Sequence, residues 1–448
     1  MQAKKVILLE FNELCPNLID KFCAQGKLPN FSKLAAQSQK FITDASCDVE
    51  YLEPWIQWVT LHTGVSCEQH RVYRLGEAQN LQQDSIWDRL SKQGLRSWLC
   101  GGMNIKYDPN DPNIWALPDP WSADGKASPA ELDSFYQFVR ANVQEHSNDN
   151  FQLSAKDYTK FFNFMLKHGL SLATLKHISS VFWHRFTSDS SGWRKATILD
   201  WLQTDVFAYG LKKFNPHFSV LFSNSTAHFQ HKYWRYMEPD KFSAPADPAK
   251  LAEFGQAIEY AYQNHDKLIG RVLAMADEDT CIMLSSALSQ QPFTAEEAQG
   301  GRRFYRPTNF DKLVALFELP GLISVMPVMS HQFHIQFASE QQASEAMQIL
   351  AQANFSNGTP LLKLVLEGDR VFAGCNAKVL LDNEVTFEIE HQPHRFFDYF
   401  YMADNIKSGM HHPDGVFWIS QQQPSAQQTQ RIQLTQATSL ILQQFQAT

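Results

Sequence analysis

The stretch that most restricts what this chain can fold into is its first apolar run, Val6-Ile7-Leu8-Leu9, followed at once by Glu10-Phe11-Asn12-Glu13. Apolar residues without alternation predict a strand covered on both faces by helices, as in the parallel sheet of an α/β protein. An open sheet of that kind binds ligands outside the carboxyl ends of its strands. The polar residues that arrive there, Asn12 and Glu13 first, are therefore candidate site residues. The plainer reading is a solvated strand-to-helix turn.

The same pattern recurs along the chain. Residues 97–100, 218–222 and 281–284 read as further core strands, and residues 16–25 and 248–277 as helices bounded by turn signals. The predicted fold is α/β, a mainly parallel central sheet flanked by helices on both faces, assembled from residues 1–127, 205–320 and 376–448. Residues 128–204 are helical in pattern and rich in aromatics, which predicts a helical insertion or cap; residues 321–375 predict a small α+β insertion. A chain of 448 residues is long enough for both.

The formal net charge of −8 argues against a nucleic-acid partner, which would need basic surface to neutralise phosphates. No run approaches the roughly 20 apolar residues of a membrane span. No signal-peptide pattern precedes the first strand, and the seven cysteines (15, 23, 47, 67, 100, 281 and 375) lack metal-binding or redox spacing. A cytoplasmic location with reduced thiols is the expectation. The sequence sets no oligomeric state.

Six segments in order resemble the alkaline phosphatase superfamily, most closely its type I phosphodiesterase/nucleotide pyrophosphatase branch. They are Val6 to Pro16, Gly26-Lys-Leu-Pro-Asn-Phe31, Pro54 to Gly64 ending in Thr-Gly, Asn224-Ser-Thr-Ala-His228 with Tyr233-Trp234 behind it, Met283 to Leu288, and Ser408-Gly-Met-His-His-Pro-Asp-Gly415. The resemblance implies a site in which two divalent metals, usually zinc, grip a phosphate beside a Ser or Thr nucleophile. Carried over position by position, it finds Asn12, Pro54, Ser286 and Ala287 where one metal and the nucleophile belong. None of these supplies a carboxylate or an imidazole, and the nucleophile position is a proline. For the other metal the resemblance implies Asn224, His228 and His411, with His412 as the alternative to its neighbour.

A two-metal displacement is therefore not expected. One divalent cation, Zn or Mn, at Asn224, His228 and His411 is one possibility and a metal-free site the other. Glu13 or Glu53, paired with His228, are candidates for general base and acid. Glu10, Asn12, Gln57, Asn104, Thr226, Ser286 and Gln290 are candidate ligand-binding residues, since amides, hydroxyls and carboxylates suit a phosphate or sugar-type small molecule. Two functions follow as expectations. One is a divergent hydrolase or transferase acting on a phosphate or related ester, such as a nucleotide sugar or glycan precursor. The other is an inactive pseudo-phosphatase that binds a polar ligand or partner.

Overall fold

Strand β1 (Val6–Phe11) is buried along its whole length and lies near the middle of an eight-stranded sheet. The other strands are β2 (Ser38–Asp44), β3 (Ser97–Cys100), β4 (Ile114–Leu117), β5 (Phe218–Ser223), β6 (Cys281–Ser286), β7 (Asp414–Ser420) and β8 (Gln430–Gln433), in the spatial order β8-β2-β7-β6-β1-β5-β3-β4. Only β7 runs against its neighbours β2 and β6; every other pair is parallel. The computed structural model describes residues 5–120, 122, 125–145, 153–187, 192–328, 332–403, 406–421 and 428–445. Parts of the anticipated helical insertion, and residues 422–427 and 446–448, lie outside those residues.

Around the sheet pack helices α1 (Pro16–Ala24), α2 (Pro29–Ala36), α3 (Pro54–Thr63), α4 (Ala155–Lys167), α5 (Leu172–Thr187), α6 (Ile198–Phe214), α7 (Ser225–Met237), α8 (Ala257–Met275) and α9 (Leu434–Gln443). The two-residue period of β1 divides them between two cores. Ile7, Leu9 and Phe11 point into a core shared with α1, α2, α6, α7 and α8, whereas Val6 and Leu8 join one built with α3 and α9. This is the mainly parallel, doubly covered α/β sheet anticipated from the sequence. Local chemistry fixes the helix ends. Pro54 opens α3 at the position where a missing N–H costs nothing, and Gly64 closes it in the left-handed region at φ 76°. The Asp266 carboxylate on α8 accepts the backbone N–H groups of Asn30 and Phe31 at 2.8 and 2.9 Å, tying α2 to a helix 236 residues further along the chain.

A third apolar cluster gathers Phe333, Ile335, Val371 and Ala373 from a four-stranded antiparallel sheet with the helix Glu340–Leu350. It takes in residues from Tyr305 to Phe400, on both sides of the 321–375 span. All seven cysteines are free thiols.

One close approach fixes the register of β7. A Cβ on Gly415 would lie 2.0 Å from the Ser286 carbonyl oxygen and 2.5 Å from Thr43 Oγ1. The first of these is backbone of a central strand and cannot swing aside. Gly415→Ala is therefore expected to lower stability by about 3 kcal/mol, read as a drop in denaturation midpoint. An unchanged midpoint would show that β7 sits further from β6.

Candidate active site

Where β1 ends, the chain must leave the sheet, and it does so through Asn12 and Glu13. The Asn12 N–H still donates to the Ser223 carbonyl at 2.9 Å, continuing the ladder with β5. Glu13 then takes a left-handed conformation, φ 60°, uncommon for a residue with a Cβ. That turn aims the Glu13 carboxylate across the carboxyl edge of the sheet, where it is almost wholly buried.

Around this carboxylate stand two imidazoles and an amide. His231 Nε2, from α7, lies 3.1 Å from Glu13 Oε2, and His411 Nε2, from the strand Gly409–His412, lies 3.6 Å from Oε1. The Gln290 side-chain amide donates to Glu13 Oε2. Glu13, His231 and His411 together offer three ligand atoms within 4.8 Å of one another. Burial pushes the Glu13 carboxyl up, but the two imidazoles outweigh it and hold the group far below the usual carboxylate range. Burial also pulls His411 down, and there Glu13 and then Glu53 outweigh it, leaving the imidazole raised.

Both rings face outward in the same manner. His231 Nδ1 lies 3.4 Å from the Gly409 carbonyl oxygen, and His411 Nδ1 lies 3.5 Å from Glu53 Oε2. A metal-bound imidazole uses its second nitrogen in this way, donating N–H to a carbonyl or carboxylate. Two buried polar atoms, His411 Nε2 and Gln290 Oε1, also have no hydrogen-bond partner. The donor set of one carboxylate and two imidazoles fits a single divalent cation such as zinc or manganese. The positions implied for a second metal do not fit one. Asn12 Oδ1 accepts from Trp58 Nε1 at 2.8 Å, Ser286 bonds the Leu288 carbonyl, Ala287 has no ligand atom and Pro54 is the first residue of α3.

The sequence-derived residues thus divide. Asn12, Glu13, Asn224, Gln290, His411 and Glu53 share one edge: Asn12 Nδ2 donates to Asn224 Oδ1 at 2.8 Å and to Glu13 Oε1 at 3.1 Å. His228 sits on α7 one turn ahead of His231, and it is His231 that stands against Glu13. Of the adjacent histidines, His412 turns Nδ1 to the Asp414 N–H at 3.2 Å, so His411 is the one in the cluster.

Five other expected ligand-binding residues make internal bonds instead. Glu10 is fully buried and binds His62 Nε2 at 2.8 Å. Gln57 donates to the Tyr51 carbonyl at 2.9 Å, and Thr226 Oγ1 meets His265 Nδ1 at 2.6 Å. Asn104, at φ 52°, bridges Gly76, Ala78, Trp55 and Arg74 backbone groups. Ser286 is held by the Leu288 and Leu14 carbonyls.

The sequence profile of type I phosphodiesterase / nucleotide pyrophosphatase matches residues 6–299, more than half of the chain and all of the segments that build β1, α3 and α7. The chain belongs to that family. It is thereby a member of the alkaline phosphatase superfamily. Among solved structures, it is similar to phosphonoacetate hydrolase from Sinorhizobium meliloti 1021 in complex with phosphonoformate, with 11% identity, 99% of this chain and 96% of that chain covered, and a TM-score of 0.46. It is also similar to murine ectonucleotide pyrophosphatase / phosphodiesterase 5 in complex with AMP, with 11% identity, the same two coverages of 99% and 96%, and a TM-score of 0.43. No curated protein sequence matches the chain. Within this family member His231 is the residue that sequence reasoning passed over. The signal was present, because His228 and His231 are one helical turn apart and share a face.

Proposed function

We propose that this family member hydrolyses a phosphate ester of a small polar molecule, with one divalent cation held by Glu13, His231 and His411. The observation that carries the reading is the convergence of one buried carboxylate and two Nε2 atoms, with an oxygen 3.4 or 3.5 Å from each Nδ1. This proposed set shares His411 with the set Asn224, His228 and His411 that the resemblance implied, and takes Glu13 and His231 in place of the other two. When bound, the cation supplies charge for a phosphoryl oxygen and for its attacking water.

The chain's own residues supply the rest. Lys407 and Arg302 both pack on the Phe293 ring, their cationic groups 4.7 and 4.9 Å from its centroid. Burial and then Arg302 lower the Lys407 ammonium, while Glu53, Glu296 and Glu13 pull it back, so it stands within the field of the site. Glu296 holds the Arg302 guanidinium at 2.8 and 2.5 Å, so the Lys407 ammonium is the cation that suits the negative charge of a phosphate. Glu53, the residue before α3, is half-buried and faces His411, in position to take the proton of water as its oxygen bonds to phosphorus and the ester oxygen leaves. Pro54 offers no hydroxyl for a covalent intermediate, so water is the nucleophile.

The test is the metal content of purified protein together with turnover of a panel of phosphodiesters and nucleotide sugars with added zinc or manganese. About one metal per chain is expected, lost in His231→Ala and in His411→Ala. Lys407→Ala is expected to raise KM about tenfold with a smaller change in kcat. The saturated bonding of Asn12, held by Trp58, Asn224 and Glu13, favours a second reading, a site that holds its ligand without turnover. Ligand binding with no turnover of any ester would select it.

A further inference from the structure

We propose that helices α4 and α5 form a docking surface for an anionic phospholipid bilayer. Large apolar side chains stand in water along both. On α5, Leu172 is 76% exposed, Trp183 68% and Phe186 83%; on α4, Phe162 and Leu166 are 50% and 57% exposed. Their spacing is helical. Tyr158, Phe162 and Leu166 recur every four residues on α4, and Leu172, Leu175, Phe182 and Phe186 follow one side of α5. Each helix keeps a separate inner face for the protein, with Phe161, Phe164 and Met165 buried on α4 and Thr174 and Val181 on α5. The exposed stripe is therefore additional to the one that folds the helix. A protein surface seldom carries so many large exposed apolar side chains at helical spacing without a partner.

Charge decides what the partner is. Residues 154–187 carry five Lys or Arg (Lys156, Lys160, Lys167, Lys176 and Arg185) against one acid, Asp157, in a chain whose net charge is −8. Exposed Trp, Phe and Leu bordered by Lys and Arg are what an amphipathic helix uses to lie in the headgroup region of an anionic membrane. A second copy of the chain would set these cations against one another. Among the described residues no helix is long and apolar enough to cross a membrane. The helices would lie on the bilayer, not span it.

The experiment is co-sedimentation of the whole protein with vesicles of phosphatidylcholine alone and of phosphatidylcholine mixed with phosphatidylglycerol. Binding to the mixed vesicles is expected, with little to neutral ones and a decline as salt rises. The double variant Trp183→Ser, Phe186→Ser should lower the bound fraction by about tenfold or more, and so should Lys176→Glu with Arg185→Glu. Both pairs are exposed, and both double variants should keep the native denaturation midpoint. Equal binding to both vesicle types, or none to either, would overturn the proposal. So would a dimer in light scattering that the Trp183 and Phe186 changes dissociate.

Discussion

Glu13→Gln is expected to remove the bound cation and to lower ester turnover by on the order of 10³-fold. The substitution keeps the shape of the side chain and its left-handed backbone, so the turn out of β1 should survive. What it removes is the single anion between two imidazoles, at 3.1 and 3.6 Å, and so the only charged member of the proposed ligand set. Two neutral imidazoles and an amide bind a dication much less well than a set with a carboxylate. Elemental analysis of the variant should show metal falling with activity, while the thermal midpoint moves by no more than a few degrees. Glu13→Gln protein that retained both metal and turnover would place the chemistry elsewhere on the sheet edge. Loss of turnover with metal retained would instead make Glu13 the proton carrier and return the metal to Asn224, His228 and His411.

Much of this was legible in the sequence, for identifiable reasons. The unbroken apolar run Val6–Leu9 can be satisfied only between two helical layers, and the structure places it there. The abrupt polarity at Asn12 and Glu13 marks the carboxyl edge because a buried strand tolerates such groups only where it ends. What the sequence hid were partnerships across long separations. Glu10 has the same parity as Val6 and Leu8, so it points into the α3 core, where it meets His62, 52 residues away. Thr226 looks like a pocket hydroxyl until His265, on a helix 39 residues later, takes it. His231 was obscured by His228, which satisfies the family spacing. Only the packing of α7 against the strand Gly409–His412 decides which of the two faces Glu13. The third core extends to Tyr305 and Phe400 because the short strands Tyr305–Pro307 and Phe400–Met402, far apart in the chain, pair with each other beside it.

Asp200→Asn and His265→Gln are expected to tilt the pH dependence of stability in opposite directions. Behind the site, Asp200 on α6 and His265 on α8 lie 3.9 Å apart in full burial. His265 meets the Ser223 and Thr226 hydroxyls at 2.7 and 2.6 Å and stacks on Phe11 at 4.2 Å, and burial pushes its imidazole down to about 3. Burial pushes the Asp200 carboxyl up to about 7, against hydrogen bonds from Ser225, Ser223 and Asn264 that pull the other way. Between its usual value of 3.8 and about 7, Asp200 holds its proton in the folded chain and has lost it in the unfolded one, so stability falls as pH rises. Between about 3 and 6.5 the unfolded chain protonates His265 and the folded one does not, so stability rises with pH. From about pH 4 to 6.5 the two contributions oppose each other in the native protein. Asn at 200 leaves the rising limb and Gln at 265 the falling one, each about 1.4 kcal/mol per pH unit. Chemical denaturation across that range reads the slopes, which are informative even though each substitution also shifts the level by leaving buried hydroxyls or an amide less well bonded. Parallel slopes in the two variants would mean that the pair does not keep a protonated carboxyl beside a neutral imidazole, and that the core behind the site holds its charge in another way.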